Sequence, residues 1–181
     1  MELYEKTLEQ TPILNGRVLT VHVDKVELPN GRTSTREVVD HPGGVCVAPL
    51  TDEGDLLFVR QFRYPYGEVV LELPAGKREP GEDPLITGKR ELLEETGATA
   101  DEMIDLGSCY PSPGYTSEVI YLYGATGLHI GENRPDEDEF LEPERIPLEV
   151  AAEMVMNGTI TDAKTQILIL KLWKLRQEGT I

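Results

Sequence analysis

Residues 76–98, GKREPGEDPLITGKRELLEETGA, decide how the rest of the chain is read. The stretch places Glu82 and Asp83 at its front and Glu91, Glu94 and Glu95 toward its end. Leu85 and Leu92, like Ile86 and Leu93, recur seven residues apart, a spacing that predicts a helix over about 84–95 with an apolar stripe. Gly97 suits its C-terminal cap. In such a helix Glu91 lies beside both Glu94 and Glu95, because positions three and four apart share a face. Like charges at that spacing destabilise a bare helix. They make better sense around a hard divalent cation such as magnesium, which prefers oxygen ligands and binds through a few carboxylates together with substrate phosphates. The segment is the first place to look for phosphate chemistry.

Outward from it, the N-terminal side reads as strands. Residues 17–28 are rich in Val and Thr, Pro29-Asn30-Gly31 signals a turn, and residues 33–40 continue extended. Residues 45–50 and 56–62 flank Asp52-Glu53-Gly54-Asp55, which predicts a hairpin loop. Residues 69–73 form a further short strand, stopped by Pro74. Beyond the helix, residues 104–110 and 118–128 look extended, separated by the loop PSPGYTS. A helix is expected from about Pro147 to Gly158, with Ala151, Met154 and Val155 inward. A last one is expected from an Asp162 cap to Glu178, carrying Ile167, Leu168, Leu172 and Leu175. Strands first, one helix in mid-chain and helices late imply an α+β fold or a mixed α/β/α sandwich.

The chain of 181 residues is one domain by the usual size prior. Its formal net charge of -16 argues against a nucleic-acid partner, which needs a basic footprint. The same charge would repel a phosphate-bearing ligand unless cations bridge the two. No apolar run is long enough for a membrane span and the start MELYEKTLEQ lacks the apolar core of a secretion signal, so a cytoplasmic setting is the default expectation. Cys46 and Cys109 give no disulfide framework; Cys46, in VCVAPL, reads as a buried thiol.

Written as spacing, the opening stretch is Gly76, five residues, Glu82, seven residues, Arg90-Glu91-Leu92, one residue, Glu94-Glu95, one residue, Gly97. This resembles the signature of the Nudix hydrolases, enzymes that split a nucleoside diphosphate linked to another group. Ala98 is a departure, since the family usually has a bulkier aliphatic residue there. Gly76 would allow a tight turn into the loop, with the carbonyl of Ala75 facing the metal. Glu91 and Glu95, one turn apart, could hold the cation, and Arg90 could pair with Glu94 and keep it in place. The resemblance places Arg90 and Glu94 with the catalytic set and Ala75, Glu91 and Glu95 with the metal ligands. The cofactor it implies is Mg²⁺, with Mn²⁺ as a substitute.

Ser112-Pro113-Gly114 lies beyond the box in PSPGYTSE, and HPGGVCVAPL, LFVRQFRYPYG and LELPAGK lie around it. These segments resemble the ADP-ribose pyrophosphatase branch of the family. The resemblance implies a Nudix-like α/β/α sandwich over residues 42–181, with a mixed sheet and flanking helices. An N-terminal antiparallel strand region over residues 1–41 would precede it, exchanged between the subunits of a homodimer. It implies Mg²⁺-dependent hydrolysis of ADP-ribose to AMP and ribose 5-phosphate. Another sugar nucleotide, a dinucleotide polyphosphate, or a non-catalytic nucleotide-binding regulator are the alternatives. The general base is expected on the acidic loop GENRPDEDEFLEP, where Glu137 is the first candidate and Glu139 either a metal ligand or the alternative base. Substrate contacts are expected from Arg36, Arg63, Ser112, Pro113, Gly114 and Glu118. Arginine grips phosphate oxygens in a fork, although both arginines also read as ordinary strand-surface charge.

Overall fold

Every residue of the strand Gly44–Pro49, GVCVAP, is buried, and its side chains alternate between two separate apolar clusters. Cys46 and Ala48 face one, Val45 and Val47 the other. A strand apolar on both sides must be covered on both, and that requirement organises the larger part of the chain.

The computed structural model describes residues 3–131 and 140–181. In chain order the elements are β1 (Lys6–Asn15), β2 (Thr20–Glu27), β3 (Thr33–Asp40), β4 (Gly44–Pro49), β5 (Asp55–Arg63), β6 (Glu68–Glu72) and β7 (Ala75–Lys77). There follow α1 (Pro84–Thr96), β8 (Ala98–Cys109), β9 (Ile120–Ile130), β10 (Glu142–Pro147), α2 (Leu148–Met156) and α3 (Ala163–Gln177). Among the described residues no helix is long and apolar enough to cross a membrane. The chain divides into two compact units, Met1–Gly43 with Tyr110–Val119, and Gly44–Cys109 with Ile120–Ile181.

The first unit is an antiparallel sheet in the order β1-β2-β3. β2 and β3 pair in unbroken register from Thr20↔Asp40 to Glu27↔Thr33. The turn between them closes where Leu28 N–H donates to the Arg32 carbonyl at 2.8 Å. Residues 6–15 carry no strand signal in the sequence, yet they form β1. The register of β1 slips twice, at Thr7/Glu9 and at Pro12/Leu14, and all ten of its residues are exposed. A proline-bearing, irregular strand is tolerated at a sheet edge, where a missing N–H leaves no partner unpaired. The segment Tyr110–Val119 joins this unit through β3, with Val39 N–H bonded to the Tyr115 carbonyl at 2.7 Å and Ser117 N–H to the Val39 carbonyl at 2.9 Å.

The second unit holds two sheets, β10-β5-β6 and β7-β4-β9-β8. In the latter β4 runs parallel to β9 and antiparallel to β7, so the sheet is mixed. β9 repeats the two-faced pattern of β4: Ile120 and Leu122 enter the cluster beneath α2 and α3, while Tyr121, Tyr123 and Ala125 join Leu92 of α1. Helices thus cover both faces, and the α+β sandwich expected from the element order is the fold observed.

β4 and β5 are not a hairpin. The loop does turn back, with Thr51 N–H bonded to the Asp55 carbonyl at 2.9 Å, but the ladder stops at the isolated Leu50↔Leu56 bridge and the strands enter different sheets, because β4 is claimed by β7 and β9 and β5 by β6 and β10. The stripe expected on α1 is likewise only partly inward. Leu92 is buried, but Ile86 and Leu93 are 56% and 40% exposed. The buried face is instead Thr87, Gly88, Glu91, Leu92, Glu95 and Thr96.

Candidate functional site

The start of α1 is fixed by Asp83, whose carboxylate accepts the Leu85 N–H at 2.8 Å, with Pro84 beginning the helix. Its end is fixed by Gly97, which takes the left-handed φ of 70° and returns its N–H to the Leu93 carbonyl at 2.9 Å. These two caps fix the ends of the helix, and the face it packs inward carries two charged residues. Glu91 is 6% exposed and Glu95 2%.

Both carboxylates lie along the backbone of β7. Glu95 Oε2 accepts the Ala75 N–H at 3.1 Å. Glu91 is packed onto Gly76 so closely that a Cβ on residue 76 would lie 2.0 Å from its carboxyl carbon. Gly76 is not at a left-handed position and sits inside β7, so the reason for glycine is room for the Glu91 carboxylate rather than a tight turn.

One guanidinium serves the acids around this face. Arg90 Nη1 donates to Glu91 Oε1 at 2.7 Å and to Glu94 Oε2 at 2.9 Å, the second being the pairing expected from the sequence. Arg90 Nη2 reaches Glu82 Oε2 at 3.3 Å and the Lys77 carbonyl at 3.2 Å. Burial works against the Arg90 charge, but Glu82, Glu91 and Glu94 outweigh it and hold its pKa above the ordinary arginine value. The Arg90 bond, helped by the Glu79 N–H, holds the Glu82 carboxyl down at about 2. The loop itself is pinned by Arg78, whose fork grips the Glu82 carbonyl while its guanidinium lies 5.3 Å over the Tyr121 ring.

A second charged cluster lies in the same unit. Arg63 is not a bare surface charge: its Nε and Nη2 donate to the two oxygens of Glu72 at 2.6 and 2.7 Å. Glu72 is 2% exposed and is also met by Lys164. Burial pushes the Glu72 carboxyl up, yet Arg63 and Lys164 bring it below the ordinary value. Burial likewise raises the thiol of Cys46 nearby, as its apolar run implied. Neither Glu72 nor Lys164 is singled out by the sequence reading. A glutamate between two leucines in LEL, in a strand running into the box, was the available signal.

The other expected substrate contacts belong to the first unit. Arg36 pairs with Glu5 at 2.6 Å. The Ser112 carbonyl accepts from the N–H groups of Tyr115 and Thr116, closing the turn over Pro113 and Gly114. Glu118 Oε1 lies 3.4 Å from His41 Nδ1. Glu137 and Glu139 lie outside the described residues.

The donor set fits a hard divalent cation. Glu91 and Glu95 offer carboxylate oxygens from a rigid helix against a backbone strand, the ligand type such ions prefer. Among the described residues no three Asp, Glu, His or Cys side chains form a complete metal cage. A site of two carboxylates suits an ion that keeps several waters and shares the rest of its shell with phosphates.

Comparison with known proteins agrees with this geometry. The NUDIX domain family model matches residues 40–168, and that of the nucleoside diphosphate sugar hydrolase N-terminal domain matches residues 5–39. The chain is 44% identical over 165 residues to an ADP-ribose pyrophosphatase of Bacillus subtilis (strain 168), covering 90% of this chain and 89% of that protein. It is 46% identical over 167 residues to a methanol dehydrogenase activator of Bacillus methanolicus, covering 91% and 90%. A crystal structure described as an ADP compounds hydrolase superposes with a TM-score of 0.84 at 23% identity over the whole of both chains, which shows the fold.

Two outcomes are expected from this geometry. Gly76→Ala should displace the Glu91 carboxylate and weaken Mn²⁺ binding roughly tenfold, read by electron paramagnetic resonance. An unchanged affinity would mean that Glu91 does not meet the ion. Because its folded pKa is depressed, Glu82 adds stability above its unfolded value of about 4.3, and that contribution fades as pH falls toward about 2. In Arg90→Gln the Glu82 carboxyl midpoint, followed by ¹³C NMR, should climb back toward the unfolded value.

Proposed function

The chain belongs to the NUDIX family, and on that premise we propose that it hydrolyses the diphosphate of ADP-ribose to AMP and ribose 5-phosphate. The observation that carries this reading is the buried Glu91–Glu95 face against Ala75 and Gly76, in a chain 44% identical to an ADP-ribose pyrophosphatase. A divalent cation, Mg²⁺ or in its place Mn²⁺, held by Glu91 and Glu95 with the Ala75 carbonyl and Glu139 as further donors, would neutralise the diphosphate and lower the pKa of a bound water.

The protein's own groups do the rest. Arg90 keeps Glu91 and Glu94 in one arrangement and offsets part of their mutual repulsion. Arg63, whose Nε and Nη2 are taken up by Glu72, turns its Nη1 corner to a phosphate oxygen. Glu137, with Glu139 as the alternative, takes the proton from the attacking water. The new oxygen–phosphorus bond forms as the bond to the leaving phosphate oxygen breaks, and two phosphomonoesters leave. Arg36, Ser112, Pro113, Gly114 and Glu118 are the residues through which substrate choice is exercised.

Purified protein with Mg²⁺ is expected to release AMP from ADP-ribose faster than from other sugar nucleotides or dinucleotide polyphosphates assayed side by side. Glu137→Gln should lower kcat by about 10²–10⁴ with metal binding retained. If Glu139→Gln does this and Glu137→Gln does not, the two roles exchange. No AMP from ADP-ribose would remove the reading. A binding-only regulator is the second reading, favoured by the 46% identity to a methanol dehydrogenase activator. It requires tight ADP-ribose binding by calorimetry with no product over hours.

We also propose a cytoplasmic homodimer built through the N-terminal strands. The exposed edge strand β1, which carries Leu8, Ile13 and Leu14 in the open, supports this reading. The intact chain should sediment as a dimer, and removal of residues 1–41 should abolish it. A soluble dimer of the shortened chain would rule that arrangement out.

A further inference from the structure

Glu72 links three elements of the second unit. It stands on β6, holds Arg63 of β5 through both of its oxygens, and accepts from Lys164 Nζ in the first turn of α3. Lys164 also donates to Asp162 Oδ1 at 2.9 Å, while Asp162 Oδ2 caps the helix at Thr165 N–H, 2.9 Å away. Thr165 Oγ1 in turn accepts the Leu73 N–H at 2.9 Å. The first turn of α3 is therefore attached at Glu72, the last residue of β6, and at Leu73 just after it, which keeps Lys164 in place against Glu72.

Such an arrangement is more than stability requires. Replacing a buried ion cluster by apolar side chains of similar volume is often neutral or stabilising, so four charges at one point are poorly explained by cohesion alone. What charged hydrogen bonds supply that apolar packing does not is direction. The bidentate pair fixes Arg63 and Glu72 relative to each other, but by itself it leaves the two side chains free to swing together. Lys164 fastens Oε2 from the opposite element, so Glu72 meets Nε and Nη2 of Arg63 in one orientation. The Nη1 corner of the guanidinium is then left, in a fixed direction, for a phosphate oxygen.

We propose that Lys164 is a positioning residue for Arg63, acting through Glu72 to hold the guanidinium in the orientation that meets the substrate diphosphate. This rests on the reading of Arg63 as a diphosphate contact, and it gives α3 a part in substrate binding through Glu72.

The test uses Lys164→Met, Lys164→Gln and Lys164→Arg, with Arg63→Lys to assign the Arg63 Nε–Hε resonance and Leu172→Val as a stability control from the same helix. In Lys164→Met that resonance should shift and its exchange with water should rise roughly tenfold, with Lys164→Arg restoring it. KM for ADP-ribose should rise about tenfold with kcat within about threefold of the parent, and Mn²⁺ affinity should be unchanged. Should the Met variant not fold, Lys164→Gln is judged by the same criteria. An Arg63 resonance unaltered in the variants, or altered equally by Leu172→Val, overturns the proposal. Absence of ADP-ribose turnover in the parent would remove the proposed function instead, and the resonance still decides the role of Lys164.

Discussion

Two carboxylates folded into the packing face of a helix are the constraint on which the second unit depends. Glu91 and Glu95 occupy positions of α1 where an ordinary amphipathic helix would carry leucine. Breaking a buried ion pair by removing one partner costs about 3–5 kcal/mol, a large part of the stability of a domain this size. Each nearby feature reads as compensation. Gly76 clears space, the Ala75 N–H supplies a donor, Arg90 supplies the charge, and the caps at Asp83 and Gly97 hold the ends of the helix that carries both acids.

That constraint also explains what could be read from the sequence and what could not. The extent of α1 and its C-terminal cap at Gly97 were legible, because a glycine closing a helix acts locally; the Asp83 cap was not singled out, although Asp-Pro was the available signal. The inward face of α1 was not legible. Periodicity assigns apolar residues to the core, but here Ile86 and Leu93 turn outward so that Glu91 and Glu95 can turn inward. Only the fixed spacing of the box, which is a chemical pattern and not an amphipathic one, pointed to those acids. Of the candidate site, the Arg90–Glu94 pair was legible as a helical neighbour contact. The Arg63–Glu72–Lys164 cluster was not, since it joins residues 9 and 92 positions apart and no local rule couples them.

The strands show the same division. β2 and β3, joined by Pro29-Asn30-Gly31, announce themselves by alternation and turn chemistry. β1 does not, being polar, proline-bearing and exposed along its length. It is a strand because β2 offers it an edge. β4 and β5 look like a hairpin because a turn signal separates two apolar runs. The fully apolar character of β4 was the better clue. A strand buried on both faces belongs in the middle of a sheet, and its partners β7 and β9 come from distant parts of the chain.

The sharing of one guanidinium among Glu82, Glu91 and Glu94, with Glu95 buried one turn on, has a thermodynamic consequence. Negative charge around Arg90 exceeds positive, so the native state concentrates repulsion that the unfolded chain disperses. Any cation with higher affinity for the folded arrangement adds its binding free energy to folding, by RT ln(1 + [L]/Kd). The protein is in that sense completed by its ionic surroundings: the melting temperature of the free chain is a property of the buffer as much as of the sequence.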